Sequence, residues 1–342
     1  MPSYRTHSHA VALALQERAL SGLSIADVCT RNPWDSQHVV SLAALMNLID
    51  RLAVSKEAPC KIFRGASPTV KLSNQGRCLR DLLTYLAPWV VSVPDALKFD
   101  PRLQALVDIA RPCRLEHFGM EAMPQWARLR TFDGMNGLVE ELRAITGARS
   151  FYRDLLTHQN RVVIRLKRLR KYFNNVVRQA PESAVLRLEL RTTHGASQAW
   201  RTFETESDSF GRWFSRLLKT HGKAICGNAW KFEREPDDGY LLHATIIVRD
   251  GSKDFVEGML RSACDIWQPI AGEPGYVLNC NAPDAGLEYR GWNTDEWGSS
   301  IREELDKAAV YLISTDALYR WDFGPEYPTA GFGDQLPQSL PF

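Results

Sequence analysis

Apolar positions recur at helical spacing through the first quarter of the chain and then change period. Residues 8–21 carry one apolar face and stop at Gly22, which predicts a helix. Ser24 caps a short helix over 25–30, and Asp35 caps a third from Ser36 to about Ala53, with Val39, Leu42, Leu45, Met46 and Ile49 on one side. The period then shortens. Lys61-Ile62-Phe63-Arg64 and Thr69-Val70-Lys71-Leu72 read as two strands around a Gly65-Ala66-Ser67-Pro68 turn, and Ser73 caps a helix from Asn74 to Leu86. Residues 94–109 and 134–146 are helical in pattern and read as a connector without chemistry. Residues 151–180 form one long helix pattern, with Leu155, Val162, Leu166, Leu169 and Phe173 facing a core.

From Ser183 onward strands and helices mix. Val185 to Arg191 alternates cleanly, 210–220 is helical, and 229–235 with 240–249 make a hairpin around Pro236-Asp237-Asp238-Gly239. A helix over 254–267, a strand over 276–281 and a helix over 300–315 follow. The fold class is α+β, divided as 1–88, 89–180, 181–335 and a tail of 336–342. In the first part, three helices, a hairpin and a closing helix follow the order of a winged helix-turn-helix. Leu72-Ser73-Asn74-Gln75-Gly76-Arg77-Cys78-Leu79-Arg80 resembles the wing-to-helix junction of bacterial winged-helix regulators. A helix fits the major groove and presents side chains to base edges, which nominates Ser36, Gln37, His38 and Ser41. Lys61, Arg64 and Lys71 on the hairpin can hold phosphates.

Composition narrows the classes. The 342 residues exceed what one hydrophobic core organises, while 44% hydrophobic and 24% charged residues are those of an ordinary globular protein. The start, Met1-Pro2-Ser3-Tyr4-Arg5, has no apolar core of a signal peptide, and no run reaches the roughly 18 apolar residues of a membrane span. Seven cysteines without a C-x-x-C pair argue for reduced thiols in a cytoplasm and against a structural zinc. The net charge of +2 conceals an asymmetry: residues 151–180 hold eight Lys/Arg and one acid, residues 284–306 seven acids and two Arg. Arg161, Arg165, Lys167, Arg168, Arg170 and Lys171, interleaved with Tyr172 and Phe173, make a nucleic-acid face a candidate for that helix.

The chemistry concentrates in the 229–249 hairpin. With a turn at 236–238, Glu233 lies opposite Leu241 and diagonal to His243, so one carboxylate and one imidazole share a face within reach of one divalent cation. Lys231 shares that face and is a candidate DNA contact; Trp230 and Tyr240 are candidate surfaces for bases. The pattern Gly227-x-x-Trp230-Lys231-x-Glu233, Gly239-Tyr240-x-x-His243, Asp250-Gly251-Ser252, together with the Val185–Leu190 strand, Tyr311-Leu312-Ile313-Ser314-Thr315-Asp316 and Phe323-Gly324, resembles the inovirus gene-2-like replication proteins over roughly 180–335. The resemblance implies a His-hydrophobe-His (HUH) endonuclease fold, a central antiparallel sheet with flanking helices. It also implies Tyr311 as nucleophile toward single-stranded DNA, with Mg²⁺ or Mn²⁺ held by Glu233 and His243. Two positions depart from that pattern. Leu241 stands where the family has its first histidine (or, in the other alignment, Thr245 where it has its second), and Ser314 replaces the lysine after the tyrosine.

A leucine cannot ligate a cation and a serine carries no charge, so both halves of the chemistry are depleted together. The expectation is a DNA-binding protein of mobile-element, phage-related or defence origin, with a vestigial metal site, no cofactor and no membrane partner. Duplex DNA would meet the winged helix; a single strand or hairpin would meet the C-terminal domain. The alternatives are an active single-tyrosine, metal-dependent nickase that initiates rolling-circle replication, and a protein-interaction module that binds no DNA.

Overall fold

The computed structural model describes residues 36–63, 69–92, 97–110, 125–191, 203–235, 239–272, 276–280, 301–322 and 328–333. The helices expected over 8–21 and 25–30, Arg64 and Phe323-Gly324 lie outside them. The described chain mixes helices with antiparallel sheets, an α+β protein, and it divides into two compact units. One contains Asp35–Val162 with Asp316–Arg320, the other Val163–Thr315 with Trp321–Phe342. The division falls inside the long helix, between Val162 and Val163.

The first unit holds α1 (Ser36–Val54), the β1–β2 ribbon (Cys60–Phe63, Thr69–Leu72), α2 (Asn74–Ser92), β3 (Leu97–Phe99), α3 (Pro101–Ala110), α4 (Gln125–Gly147) and the start of α5 (Arg149–Gln179). Leu42, Leu45, Met46 and Ile49 of α1 are buried at the spacing that the pattern requires. Ser73 caps α2 as its sequence predicts, with Oγ accepting from the Gly76 N–H at 3.0 Å. Gly76 lets the helix start lie against Pro59, the residue before β1: a Cβ there would sit 1.9 Å from the Pro59 carbonyl oxygen. That obstacle is backbone, so Gly76→Ala should lose at least ~1–3 kcal/mol of stability. Gly134, in α4 with nothing within 4 Å of its would-be Cβ, should gain ~0.5–1 kcal/mol on the same substitution. Urea midpoints of the two variants give the contrast, and equal shifts would refute it.

The single helix expected over 94–109 is a correction. Asp100 accepts from the Arg102 N–H through Oδ1 at 2.9 Å and Pro101 occupies the first helical position, so the helix starts there and β3 precedes it.

The second unit is built on a five-stranded sheet of β4 (Ala184–Arg191), β5 (Ile225–Glu235), β6 (Gly239–Val248), β7 (Tyr276–Asn279) and β9 (Ala330–Phe332), in the order β7-β4-β6-β5-β9. β8 (Tyr319–Trp321), whose Tyr319 and Arg320 belong to the first unit, pairs with β3 of that unit. β8 and β9, three residues each, have too few positions for alternation to register and were not expected. α6 (Phe203–His221) and α7 (Lys253–Ala271) pack one face, where Phe210 stacks on Trp267 with centroids 4.9 Å apart over Leu186, Leu188, Phe232, Leu242 and Ile246. The part of α5 from Val163 lies on the other face. There Tyr172 accepts the Asn228 N–H at 3.0 Å, beside the Ile225/Gly227 bulge, and Val176 stands 3.0 Å from where a Gly227 Cβ would be. α8 (Ile301–Ser314) reaches that face through Tyr311. No helix among the described residues is long and apolar enough to cross a membrane.

Candidate functional site

The hairpin register is the one its turn length implies: Glu233 pairs with Leu241 and Lys231 with His243. On the far side of β6, Glu189 of β4 stands directly opposite His243. The sheet therefore sets Glu189, His243 and Lys231 in one row across three strands, with Arg191, Leu241 and Glu233 in the neighbouring row. Strand alternation puts all six on the same face. Helices cover that face as well, so its polar groups are buried: Glu189 is 1% exposed, His243 3%, Lys231 5% and Glu233 5%.

Buried charges persist only when paired, and here both carboxylates are paired at both oxygens. Glu233 Oε1 lies 3.2 Å from Lys231 Nζ, and its Oε2 lies 3.2 Å from His243 Nε2. Glu189 Oε1 lies 3.1 Å from His243 Nδ1, and its Oε2 lies 3.2 Å from Arg191 Nη2. Each of the four carboxylate oxygens faces a nitrogen donor. The imidazole bridges two acids, one at each ring nitrogen. Tyr311 joins at the edge: its hydroxyl is 3.0 Å from His243 Nδ1 and donates to Glu189 Oε1 at 3.4 Å, with its ring edge-on to the imidazole.

The electrostatics follow from that geometry. Burial alone would lower the His243 pKa, but the Glu189 charge and hydrogen bond, with Glu233 behind them, raise it to about 9. Burial alone would raise Glu233, but the Lys231 ammonium and His243 hold it at about 2. An imidazolium contributes stability fully below its ordinary 6.5 and loses it as pH rises through about 9. The carboxylate contributes above its ordinary 4.5 and loses it as pH falls through about 2. Stability should therefore peak between roughly pH 4.5 and 6.5 as far as this pair decides it, and fall by ~3 kcal/mol between pH 6 and 10. Urea unfolding at the two pH values measures the drop. His243→Gln should abolish it, and an equal drop in that variant would refute the assignment.

This donor set does not suit a hard divalent cation. Mg²⁺ and Mn²⁺ need several oxygen ligands converging on one point, whereas these oxygens face an ammonium, a guanidinium and an imidazole. No group of three or more His, Cys, Asp or Glu among the described residues is arranged to hold a metal ion. The cavity lined by Arg187, Glu189, His243, Thr245, Cys280 and Tyr311 measures about 20 Å³, room for roughly one water and far below the ~300 Å³ of small ligand sites.

The other nominated residues fall into distinct settings. Lys231 is corrected: it is buried against Glu233 and presents no charge to a phosphate. Trp230 is corrected too, being 1% exposed in the core, while Tyr240 is half-buried edge-on to Phe203. Arg170 is held by Asp306, Nη2 to Oδ2 2.9 Å, and Arg165 is half-buried. Arg161, Lys167, Arg168 and Lys171 are exposed and make no ion pair among the described residues. Lys61 and Lys71 are exposed and stand directly opposite each other on the ribbon. Ser36, Gln37, His38 and Ser41 lie on the first turns of α1, with side chains outside the described set. Glu189 and Arg191 are the site residues that reading the sequence missed. Their signal was the charged face of an alternating strand, but their partner strand lies some fifty residues away.

The fold and site thus define an α+β protein with a charge-closed carboxylate–imidazole network in the sheet of its second unit. Comparison with protein-family models, curated proteins and solved structures finds no match for this chain.

Proposed function

We propose that this chain is a DNA-binding protein of mobile-element, phage-related or defence origin. It joins an N-terminal winged helix to an HUH-like C-terminal sheet whose cleavage chemistry has been lost, and it works in the cytoplasm without a metal. The observation that carries DNA binding is the register of the ribbon, which places Lys61 opposite Lys71 on an exposed face. Like charges directly opposite each other destabilise a sheet in isolation, and a polyanion reverses the sign. Exposed Lys167, Arg168 and Lys171 add a second cationic surface. The loss of cleavage is supported by the pairing of Glu189 and Glu233, whose four oxygens face the chain's own Lys231, Arg191 and His243 nitrogens.

The test is binding of a mixed-sequence 30-base-pair duplex by fluorescence anisotropy between 50 and 200 mM salt, beside cleavage of single-stranded oligonucleotides with Mn²⁺. Duplex affinity should fall steeply with salt, by about 0.9 in log K per log salt for each phosphate contacted, and no cleavage should occur. Absence of duplex binding at 50 mM salt would leave the protein-interaction reading in its place. The hydroxyl of Tyr311 beside His243 is the one feature favouring a nickase. A covalent DNA adduct that disappears in Tyr311→Phe would establish that reading instead.

A further inference from the structure

From Val163 onward, within the second unit, α5 turns one side inward and the other to solvent. Leu166, Leu169, Phe173, Val176 and Val177 are buried. Ile164, Lys171 and Arg178 recur at helical spacing along the middle of the exposed side. Lys167 and Asn174 flank that line on one side, Arg168 and Asn175 on the other, and all four are exposed. At about 100° and 1.5 Å per residue, these positions make a face about 120° wide and about 21 Å long. No acid occurs anywhere between Val163 and Gln179. Ile164 is 48% exposed, one of the few large apolar side chains in that state among the described residues.

The helix beneath this face is held in place. The Tyr172 hydroxyl accepts the Asn228 N–H at 3.0 Å, and the Tyr172 ring centroid lies 5.2 Å from that of Phe332. Arg170 donates from Nη2 to Asp306 Oδ2 of α8 at 2.9 Å. The exposed side chains therefore project from an anchored element, so laying them against a partner orders side-chain ends and little backbone.

We propose that this face of α5 lies in the major groove of duplex DNA, with Lys171, Asn175 and Arg178 on base edges, Ile164 on a thymine methyl, and Lys167 and Arg168 on the phosphates of the two walls. This rests on the DNA-binding reading above and adds a second reading element, its groove and its base contacts. The major groove is about 12 Å wide and admits one helix of about 10–12 Å. Its edges are read by arginine or lysine at guanine O6 and N7, by asparagine at adenine N6 and N7, and by apolar side chains at the thymine methyl. Each of those residue types stands on the middle line of α5 or beside it. Lys167 and Arg168 diverge by about 100° around the axis, toward opposite walls. A single strand is held on exposed aromatic platforms, whereas here Tyr172 is half-buried and Phe173 buried. Duplex RNA has a major groove too deep and narrow for side chains to read.

Selection of random duplexes of about 30 base pairs on the full chain supplies the probe. Arg178→Lys keeps the charge and loses the two-pronged bond, so it should bind the enriched duplex about tenfold more weakly with an unchanged salt slope. Asn175→Ala, which removes no charge, should do the same. Lys167→Ala and Arg168→Ala should each lower the salt slope by about 0.9, on enriched and mixed-sequence duplexes alike. All four positions are exposed, so the fold stays intact. Dimethyl sulfate, which methylates guanine N7 in the major groove, should find a guanine protected by wild type and reactive with Arg178→Ala. Failure of the pool to enrich, wild-type affinity in Arg178→Lys and Asn175→Ala, a methylation pattern unchanged in Arg178→Ala, or equal binding of the same sequence as duplex RNA would each overturn the proposal while DNA binding itself stands. No duplex binding by wild type would overturn both.

Discussion

Glu233→Ala lowers the stability of the sheet unit by about 3–5 kcal/mol. The side chain is buried, and its two oxygens face two different cations at 3.2 Å, Lys231 Nζ and His243 Nε2. Alanine removes the acid and keeps both nitrogens inside the protein, away from the water that would otherwise solvate them. Desolvation of a charge is the larger quantity in such a site, which is why breaking a buried pair does more harm than deleting it whole. Lys231→Met combined with Glu233→Leu therefore recovers most of the loss, because both charges go and His243 keeps Glu189 on its other nitrogen. Urea unfolding followed by the fluorescence of buried Trp213, Trp230 and Trp267 reads both variants. A single variant within 1 kcal/mol of wild type, or a double variant worse than the single, would show that the network does not hold the sheet together.

Asp100→Ala produces a comparable loss in the first unit, again about 3–5 kcal/mol, by a different combination of contacts. Asp100 is fully buried. It caps α3 at the Arg102 N–H and grips the Arg102 guanidinium twice, Oδ1 to Nε at 2.8 Å and Oδ2 to Nη2 at 3.0 Å. Arg102 is 4% exposed and keeps only Asp50, at 2.8 Å from Nη1, when that carboxylate is removed. The cap accounts for roughly 1 kcal/mol and the stranded guanidinium for the rest. Asp100→Asn preserves the cap oxygen but not the charge, so it should fall between wild type and alanine. Arg102→Lys should also be damaging, since an ammonium cannot match a two-pronged bond. Hydrogen exchange across residues 101–110 localises the effect: faster exchange there in Asp100→Ala is expected, and unchanged protection would refute the assignment.

Both effects depend on residues that a linear reading treats as ordinary. Lys231 in an alternating strand looks solvated, because one face of an antiparallel sheet usually is. Here both faces are covered, and the lysine turns inward to an acid two positions along. Arg102 follows Asp100-Pro101, a start signal for a helix, yet apolar residues on both sides of it continue a helical spacing and mask the break. Glu189 is hidden for another reason. Its alternation with Arg187 and Arg191 was plain, but the identity of the strand beside it was not.

The hairpin register from Glu233–Leu241 to Lys231–His243, the Ser73 cap and the apolar stripe of α5 could all be read along the chain. Each arises from forces between residues a few positions apart, where backbone geometry leaves little choice. The opposition of Lys61 and Lys71 is not legible in that way, because strands at 61–64 and 69–72 around a 65–68 turn would set Lys61 against Leu72, and the structure pairs it with Lys71. Whether Glu233 and His243 form an open cation site or a closed one is settled elsewhere. It turns on Glu189 arriving through β4–β6 pairing, on Arg191 behind it, on Tyr311 descending from α8, and on two layers of helix removing the water. Those partners come from separate parts of the chain, and burial multiplies the strength of whatever charges happen to meet. Local pattern sets which side chains share a face; long-range packing sets which of them must neutralise one another.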